Sequence, residues 1–240
     1  MNGIYRLAGL TIGIDSLYPE VHAMCAPYRA EGPVDFTVST GQEDIGLEAQ
    51  KADPGLAFTD SYLETLAVYR KIAEKLPYYG AFLMHGSCVA ADGYGYIFSA
   101  KSGTGKSTHA ALWRKLLGDR AVMVNDDKPL VRLVDGCVKA YGSSWDGKHH
   151  LSCDVSVPLR AVCFLERSQS NRIVRLSRDE ALPLMVRHVY RPSDPEALQR
   201  TMDILGSLDI GFYKLFCNMD ISAAKLAFSV MGGSEENNEA

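Results

Sequence analysis

What this chain lacks narrows its class before any motif is read. None of its six cysteines, Cys25, Cys88, Cys137, Cys153, Cys163 and Cys217, forms a Cys-x-x-Cys pair. They therefore read as reduced, mostly buried thiols rather than as a disulfide framework or a zinc ribbon. A basic surplus is also missing: 25 Lys and Arg face 29 Asp and Glu, for a net charge of −4, and no basic block stands out. That argues against a nucleic-acid partner. No apolar run is long enough to cross a bilayer, and Met1-Asn2-Gly3-Ile4-Tyr5-Arg6 has neither the basic patch nor the apolar stretch of a secretory signal. No internal repeat is visible. The expectation is a cytoplasmic protein without a membrane partner. With 47% hydrophobic residues over 240 positions, the chain can bury one sizeable core and a small attachment.

The pattern along the chain divides it into three parts. Residues 1–78 read as a small α+β segment. It holds two short strands within Tyr5 to Ile14, a third at Val34 to Val38, and a helix from Thr59 to Leu76. Leu63, Leu66, Tyr69, Ile72 and Leu76 recur at helical spacing there, Asp60 or Ser61 is the expected cap, and Pro77 ends the run. Residues 79–231 read as a core domain. The apolar run Ala81 to Ala90 and the strand Tyr96 to Ser99 form a hairpin around Ala91-Asp92-Gly93-Tyr94-Gly95. A helix over Thr108 to Leu117, closed by Gly118, precedes an apolar strand at Ala121 to Val124. A second hairpin follows around Asp135-Gly136. Strands are expected at Arg160 to Leu165, Arg172 to Leu176 and Gly211 to Cys217, and helices at Arg178 to Val189, Asp194 to Leu208 and Ile221 to Met231. Residues 232–240 are acidic and polar and read as a disordered tail. The expected fold class is α/β, with a mixed sheet rich in hairpins.

Between the strand Tyr96 to Ser99 and the next helix lies Ala100-Lys101-Ser102-Gly103-Thr104-Gly105-Lys106-Ser107. This matches a phosphate-binding loop, except that Ala100 stands where glycine is usual. Gly103 and Gly105 let successive amides curl toward one point, and Lys106 reaches the terminal phosphates. Ser107 can ligate Mg²⁺, and the helix adds its positive end. The candidate nucleotide-binding residues are therefore Ser102, Gly103, Thr104, Gly105, Lys106, Ser107 and Thr108.

One strand later, Asp126 and Asp127 close an apolar run, at the end where ligands sit in α/β proteins. Adjacent carboxylates can divide labour, one holding Mg²⁺ and the other accepting the proton of an attacking hydroxyl; which does which is open. Before the loop, a hairpin turn centred on Gly93 sets His85 opposite Lys101, where it either serves the site or supports it. The catalytic candidates are Asp126, Asp127, Lys106 and His85, and the metal candidates are Ser107, Asp127 and His85.

Other groups are weaker. Ser143-Ser144-Trp145-Asp146-Gly147-Lys148 reads equally as a ligand-facing loop or a surface turn. His149, His150 and Cys153 lack a fourth ligand at a sensible spacing for zinc. Arg187, His188 and Arg191 read as a solvated helix face rather than a phosphate-binding cluster.

Taken in order, Met84-His85-Gly86-Ser87-Cys88, the hairpin, the Ser102 to Ser107 loop and Asn125-Asp126-Asp127 resemble the P-loop kinase core shared by HPr kinase/phosphorylase and ATP-dependent phosphoenolpyruvate carboxykinase. The resemblance covers roughly Ala81 to Asp127 and does not extend into the first 75 or so residues. It implies bound ATP and Mg²⁺, metal binding and general-base work shared by the two aspartates, His85 nearby, and a homo-oligomer. The chain has no room for the large acid-substrate domain of a carboxykinase. Where HPr kinases carry a Glu-Ile-Arg-Gly stretch, it has Tyr141 to Lys148. It resembles the short HPr-kinase-related proteins found beside ribosomal-peptide modification systems. The implied activity is a serine kinase acting on a small protein or a precursor peptide. The alternatives are a nucleotide-binding module without transfer and a carboxykinase-like or small-metabolite kinase.

Overall fold

Strands buried on both faces read as unbroken apolar runs, and the computed structural model shows why such runs occur here. It describes residues 1–52, 55–147 and 150–232; the acidic tail from 233 onward, Lys148 and His149 lie outside the described residues. The first part contains β1 (Asn2–Leu7), β2 (Leu10–Asp15), α1 (Glu20–Met24), β3 (Phe36–Ser39), α2 (Gln42–Lys51) and α3 (Asp60–Lys75). The three strands make their own sheet, β1 antiparallel to β2 and β2 parallel to β3. Neither α1 nor α2 was expected from the sequence. The cap of α3 is Thr59, whose side chain accepts from Tyr62 N at 3.2 Å, rather than Asp60 or Ser61.

A nine-stranded sheet follows, in the order β4-β8-β9-β10-β6-β5-β7, with β12 beside β10 and β11 beside β12. In chain order its elements are β4 (Ala81–Leu83), β5 (Ser87–Ala91), β6 (Tyr94–Ser99), α4 (Lys106–Leu117), β7 (Ala121–Asn125), β8 (Leu130–Val134), β9 (Cys137–Tyr141) and β10 (Ser156–Arg167). Then come β11 (Arg172–Leu176), α5 (Arg178–His188), α6 (Pro195–Ser207), β12 (Gly211–Cys217) and α7 (Ile221–Met231). The fold is mixed α/β. Strands β6, β10 and β12 run parallel, while the flanking pairs are antiparallel. Alternation across these strands sorts the core into two layers. Ile97, Val162 and Phe164 face the cluster that includes Met185 of α5 and Leu205 of α6. Tyr96, Phe98, Ala161, Cys163 and Leu165 face the cluster that includes Trp113 of α4 and Ala227 of α7.

Two expectations need correction. The run Ala81 to Ala90 is not one strand. It breaks at Met84-His85-Gly86, so that β4 pairs with β8 while β5 pairs with β6 and β7. The hairpin register also differs by one residue. Ala91 pairs with Tyr94 across a two-residue turn, with Asp92 at φ 51° and Gly93 at φ 84°. Positive φ at both positions matches strand twist in such a turn. Continued past Ser87, that register sets Ala100 rather than Lys101 opposite His85, and the neighbouring Ser99 hydroxyl donates to the His85 carbonyl at 2.7 Å.

The first part is tied to the core by more than the chain. One hydrophobic cluster runs from Tyr5, Ile12 and Ile72 through Leu83 and Leu130 to Trp145. The Trp145 indole stacks on Tyr69 at 4.8 Å and donates to Thr65 O at 3.0 Å. Buried Glu64 accepts from Leu17 N, Tyr18 N and Thr40 Oγ1 at 2.7–2.8 Å. The six cysteines are free, and burial raises the Cys25, Cys88, Cys163 and Cys217 thiols above their ordinary range. Among the described residues no helix is long and apolar enough to cross a membrane.

Candidate active site

At the carboxyl end of β6 the chain leaves the buried run Gly95 to Ser99 and must turn sharply into α4. Two glycines make the turn, Gly103 at φ 75° and Gly105 at φ 119°. A Cβ at Gly103 would meet nothing within 4 Å, so the requirement is conformational rather than steric. Gly105 is the residue before the helix, and no side chain caps the start. The first helical bond from this end is His109 N to Gly105 O at 2.9 Å. The amides of Lys106, Ser107 and Thr108 accordingly have no partner within the helix. Lys106 is 8% exposed and donates to Ala100 O at 3.3 Å across the loop. Burial lowers the pKa of its ammonium, and the nearby Asp127 and Asp126 pull it back up.

The opposite wall is built differently. Strand β7 ends at Asn125, which is fully buried and acts as a hub. Its amide nitrogen donates to Ser143 O at 3.2 Å, Ser143 Oγ at 3.0 Å and Trp145 O at 3.2 Å. Its oxygen accepts from Asp127 N at 2.9 Å and Lys128 N at 2.6 Å. One side chain thus fixes the turn that carries both aspartates and the loop that follows β9. Asp126 is buried and accepts from the Ser87 hydroxyl at 2.8 Å. Asp127 lies 3.4 Å from His85 Nε2 through one oxygen and pairs with Lys128 through the other. Burial by itself would raise the Asp127 carboxyl; the His85 imidazole and Lys128 ammonium outweigh it and hold the group down at about 2.

The two walls enclose a cleft of about 480 Å³ lined by His85, Ser102, Gly103, Gly105, Lys106, Ser107, Thr108, Asp126, Asp127, Asp146 and Gly147. Every candidate named from the sequence lies on it except Thr104. That residue faces away, its carbonyl accepting from Arg167 Nε at 3.3 Å. Sequence reasoning missed three contributors. Ser87 holds Asp126 in place. Asp146, taken equally for a surface turn, lines the cleft with a side chain only 4% exposed, accepting from Ser152 N at 3.1 Å and lying 3.0 Å from His150 Nδ1. His188 is half-buried rather than solvated; its carbonyl accepts from His85 N at 2.7 Å and its ring sits 6.5 Å from that of His85. Burial, then the neighbouring His85, Lys106 and Arg187, lower the His188 pKa. Arg187 and Arg191 are exposed. The residue types carried some signal, since Ser-Ser-Trp-Asp-Gly joins turn formers to a carboxylate, but only the tertiary path turns that segment inward.

Among the described residues no group of three or more His, Cys, Asp or Glu is arranged to hold a metal ion, and His150 is tied to Asp146. Magnesium does not require such a cage, because it is commonly held by one or two carboxylates together with phosphate oxygens and water. Ser107 and Asp127, on facing walls, are the residues that fit this mode.

A solved structure of the Hpr(Ser) kinase/phosphatase from Coxiella burnetii is similar at a TM-score of 0.36 and 10% sequence identity, covering 63% of this chain and 99% of that one. No curated protein matches. A family model described as SynChlorMet cassette protein ScmC matches residues 58–190. That span is more than half of the chain and contains every residue lining the cleft, and the chain accordingly belongs to the ScmC family of SynChlorMet cassette proteins.

Proposed function

We propose that this protein is an ATP- and Mg²⁺-dependent phosphotransferase, a serine kinase acting on a small protein or a precursor peptide. The observation that carries the reading is the cleft itself. A glycine-turned loop, uncapped helix amides and a buried lysine form one wall, and a pair of carboxylates forms the other. The amides of Lys106, Ser107 and Thr108 need an acceptor, and a polyphosphate supplies it at the positive end of α4. Bound ATP with Mg²⁺ would supply the transferable γ-phosphoryl group and screen its charge. Lys106 adds positive charge beside that group, and little water competes with it at 8% exposure.

The two aspartates divide the remaining work. Asp127, held at about 2 between His85 and Lys128, stays ionised and is a weak base, which suits it to a cation. Asp126, aimed by the Ser87 hydroxyl, is the acceptor for the proton of the incoming serine hydroxyl. His85 acts through Asp127 as a positioning residue.

The test is to incubate the protein with γ-labelled ATP, Mg²⁺ and the products of neighbouring genes. Label on a serine of one of them is the expected result. Label released only by hydrolysis would instead indicate a binding module. Asp126→Asn should lower transfer by about 100-fold or more while nucleotide binding persists. Transfer at the wild-type rate in both single aspartate variants would remove them from the chemistry.

A further inference from the structure

A second pocket lies on the other side of the phosphate loop, sharing Gly105 and Thr108 with the cleft. It measures about 280 Å³ and opens at the carboxyl ends of all three parallel strands: β6 through the loop, β10 at Leu165 and Arg167, and β12 at Cys217-Asn218-Met219. Ligands sit at this edge in α/β sheets. Its inner wall is Leu112 and His109 of α4, and Met219, 73% exposed, stands at its rim.

His109 is the unusual group. It is 2% exposed and packs edge-on against Phe98 at 4.6 Å, yet neither ring nitrogen has a hydrogen-bond partner. Buried polar atoms of this kind are rare and costly. Burial lowers its pKa to about 4, so near neutral pH the ring is uncharged and offers one donor and one acceptor. Around it the apolar side chains are Leu112, Leu165, Cys217 and Met219, and polar groups of Thr108, Arg167, Ser168 and Asn218 complete the lining. The same wall is braced at the phosphate loop, since Arg167 donates to the carbonyls of Thr104 and Gly103.

We infer that this pocket receives the purine base of the nucleotide, with Leu112 and Met219 against the ring faces and His109 hydrogen-bonded to the ring edge. The inference rests on the phosphate-loop reading above and extends it to the part of the ligand that the loop does not touch. A polyphosphate in the cleft and a base in this pocket would be joined across Gly105 and Thr108, the two residues that border both.

Calorimetry with ATP and with inorganic tripolyphosphate, each with Mg²⁺, separates the two ideas. Wild-type protein should bind ATP at least about tenfold more tightly than tripolyphosphate, as one good buried contact contributes. Leu112→Trp, which fills the pocket, should erase that difference and leave tripolyphosphate affinity unchanged. His109→Phe keeps the ring and removes the nitrogens; it should weaken ATP by about three- to tenfold and tripolyphosphate not at all. If Leu112→Trp does not fold, the His109→Phe result decides. Equal affinities for the two ligands in the wild type, or wild-type ATP affinity in the folded variants, would overturn the pocket assignment and leave the phosphate-loop reading standing. Failure of both ligands to bind the wild type would overturn both.

Discussion

The two walls of the cleft reach similar order by opposite means. The glycine-loop wall is shaped by backbone conformation: Gly103 and Gly105 adopt positive φ, and no side chain caps the helix they lead into. The aspartate wall is shaped by side chains: Asn125 makes five hydrogen bonds to four residues, and Ser87 adds another to Asp126. A wall held by its backbone leaves amides free for a ligand. A wall held by a hub satisfies its backbone internally and sets its two carboxylates on the cleft. The division matches what each would bind, anions on one side and cations or protons on the other.

If that contrast is right, the most damaging single change lies on the aspartate wall. Asn125→Ala strips partners from Asp127 N, Lys128 N and the Ser143 and Trp145 carbonyls at a fully buried position. Urea denaturation should show a loss of about 3 to 4 kcal/mol, and transfer should fall with it. Gly105→Ala, by contrast, should cost about 1 to 3 kcal/mol through backbone strain at φ 119° alone, since space is open around it. Its main effect should be on ligand: tripolyphosphate affinity should drop by about tenfold or more while thermal unfolding changes modestly. A large stability loss at Gly105 with little at Asn125 would reverse the comparison.

How much of this was legible follows the same line. The glycine loop, α4 and the α3 periodicity are local patterns, readable from neighbours three or four positions away. So is the Asp92-Gly93 turn, although a loop centred on Gly93 sets the register off by one residue from the observed Ala91–Tyr94 pairing. The expected α/β class was legible because buried strands carry apolar runs. The break at Met84-His85-Gly86 was not, because both halves are apolar and only their different partners, β8 for one and β6 with β7 for the other, divide them. The Asn125 hub was equally hidden. Its partners at Ser143 and Trp145 lie 18 and 20 positions away, and a single asparagine before two aspartates looks like any strand end. The short α1 and the weakly amphipathic α2 lack a strong apolar stripe, and packing against α3 is what holds them.

Acid should separate the walls a second time. On the loop wall, burial lowers the His109 pKa to about 4, below the ordinary value of 6.5. The unfolded chain therefore binds more protons between those values, and stability falls as pH drops through that window. On the aspartate wall, Asp127 lies at about 2 against an ordinary 3.8. Its contribution is full above the unfolded value and is lost as pH falls from about 4 toward 2. Denaturation of the metal-free protein across pH should show both declines. His109→Phe should reduce the upper one only, and Asp127→Asn the lower one only, since His188 and other carboxylates are shifted in the same directions. A decline left unchanged by its substitution would remove that group from the acid dependence.

The smallest expected effect tests whether the aspartate wall aims its carboxylates or merely holds them. Ser87 is fully buried at the start of β5, and its hydroxyl touches Asp126 twice, at Oδ1 and at the backbone carbonyl. Ser87→Ala leaves the Asn125 hub intact and removes only this contact, at a cost of about 1 to 2 kcal/mol for a lost buried hydrogen bond. If Ser87 aims Asp126 at the acceptor, transfer should fall by about three- to tenfold with the nucleotide affinity unchanged, because a misdirected base affects the chemical step and not the binding of phosphate on the far wall. Unchanged transfer with the same loss of stability would mean that the hub alone orients the pair. The aspartate wall would then resemble the loop wall more closely, with its geometry set at one point and the remaining contacts only packing around it.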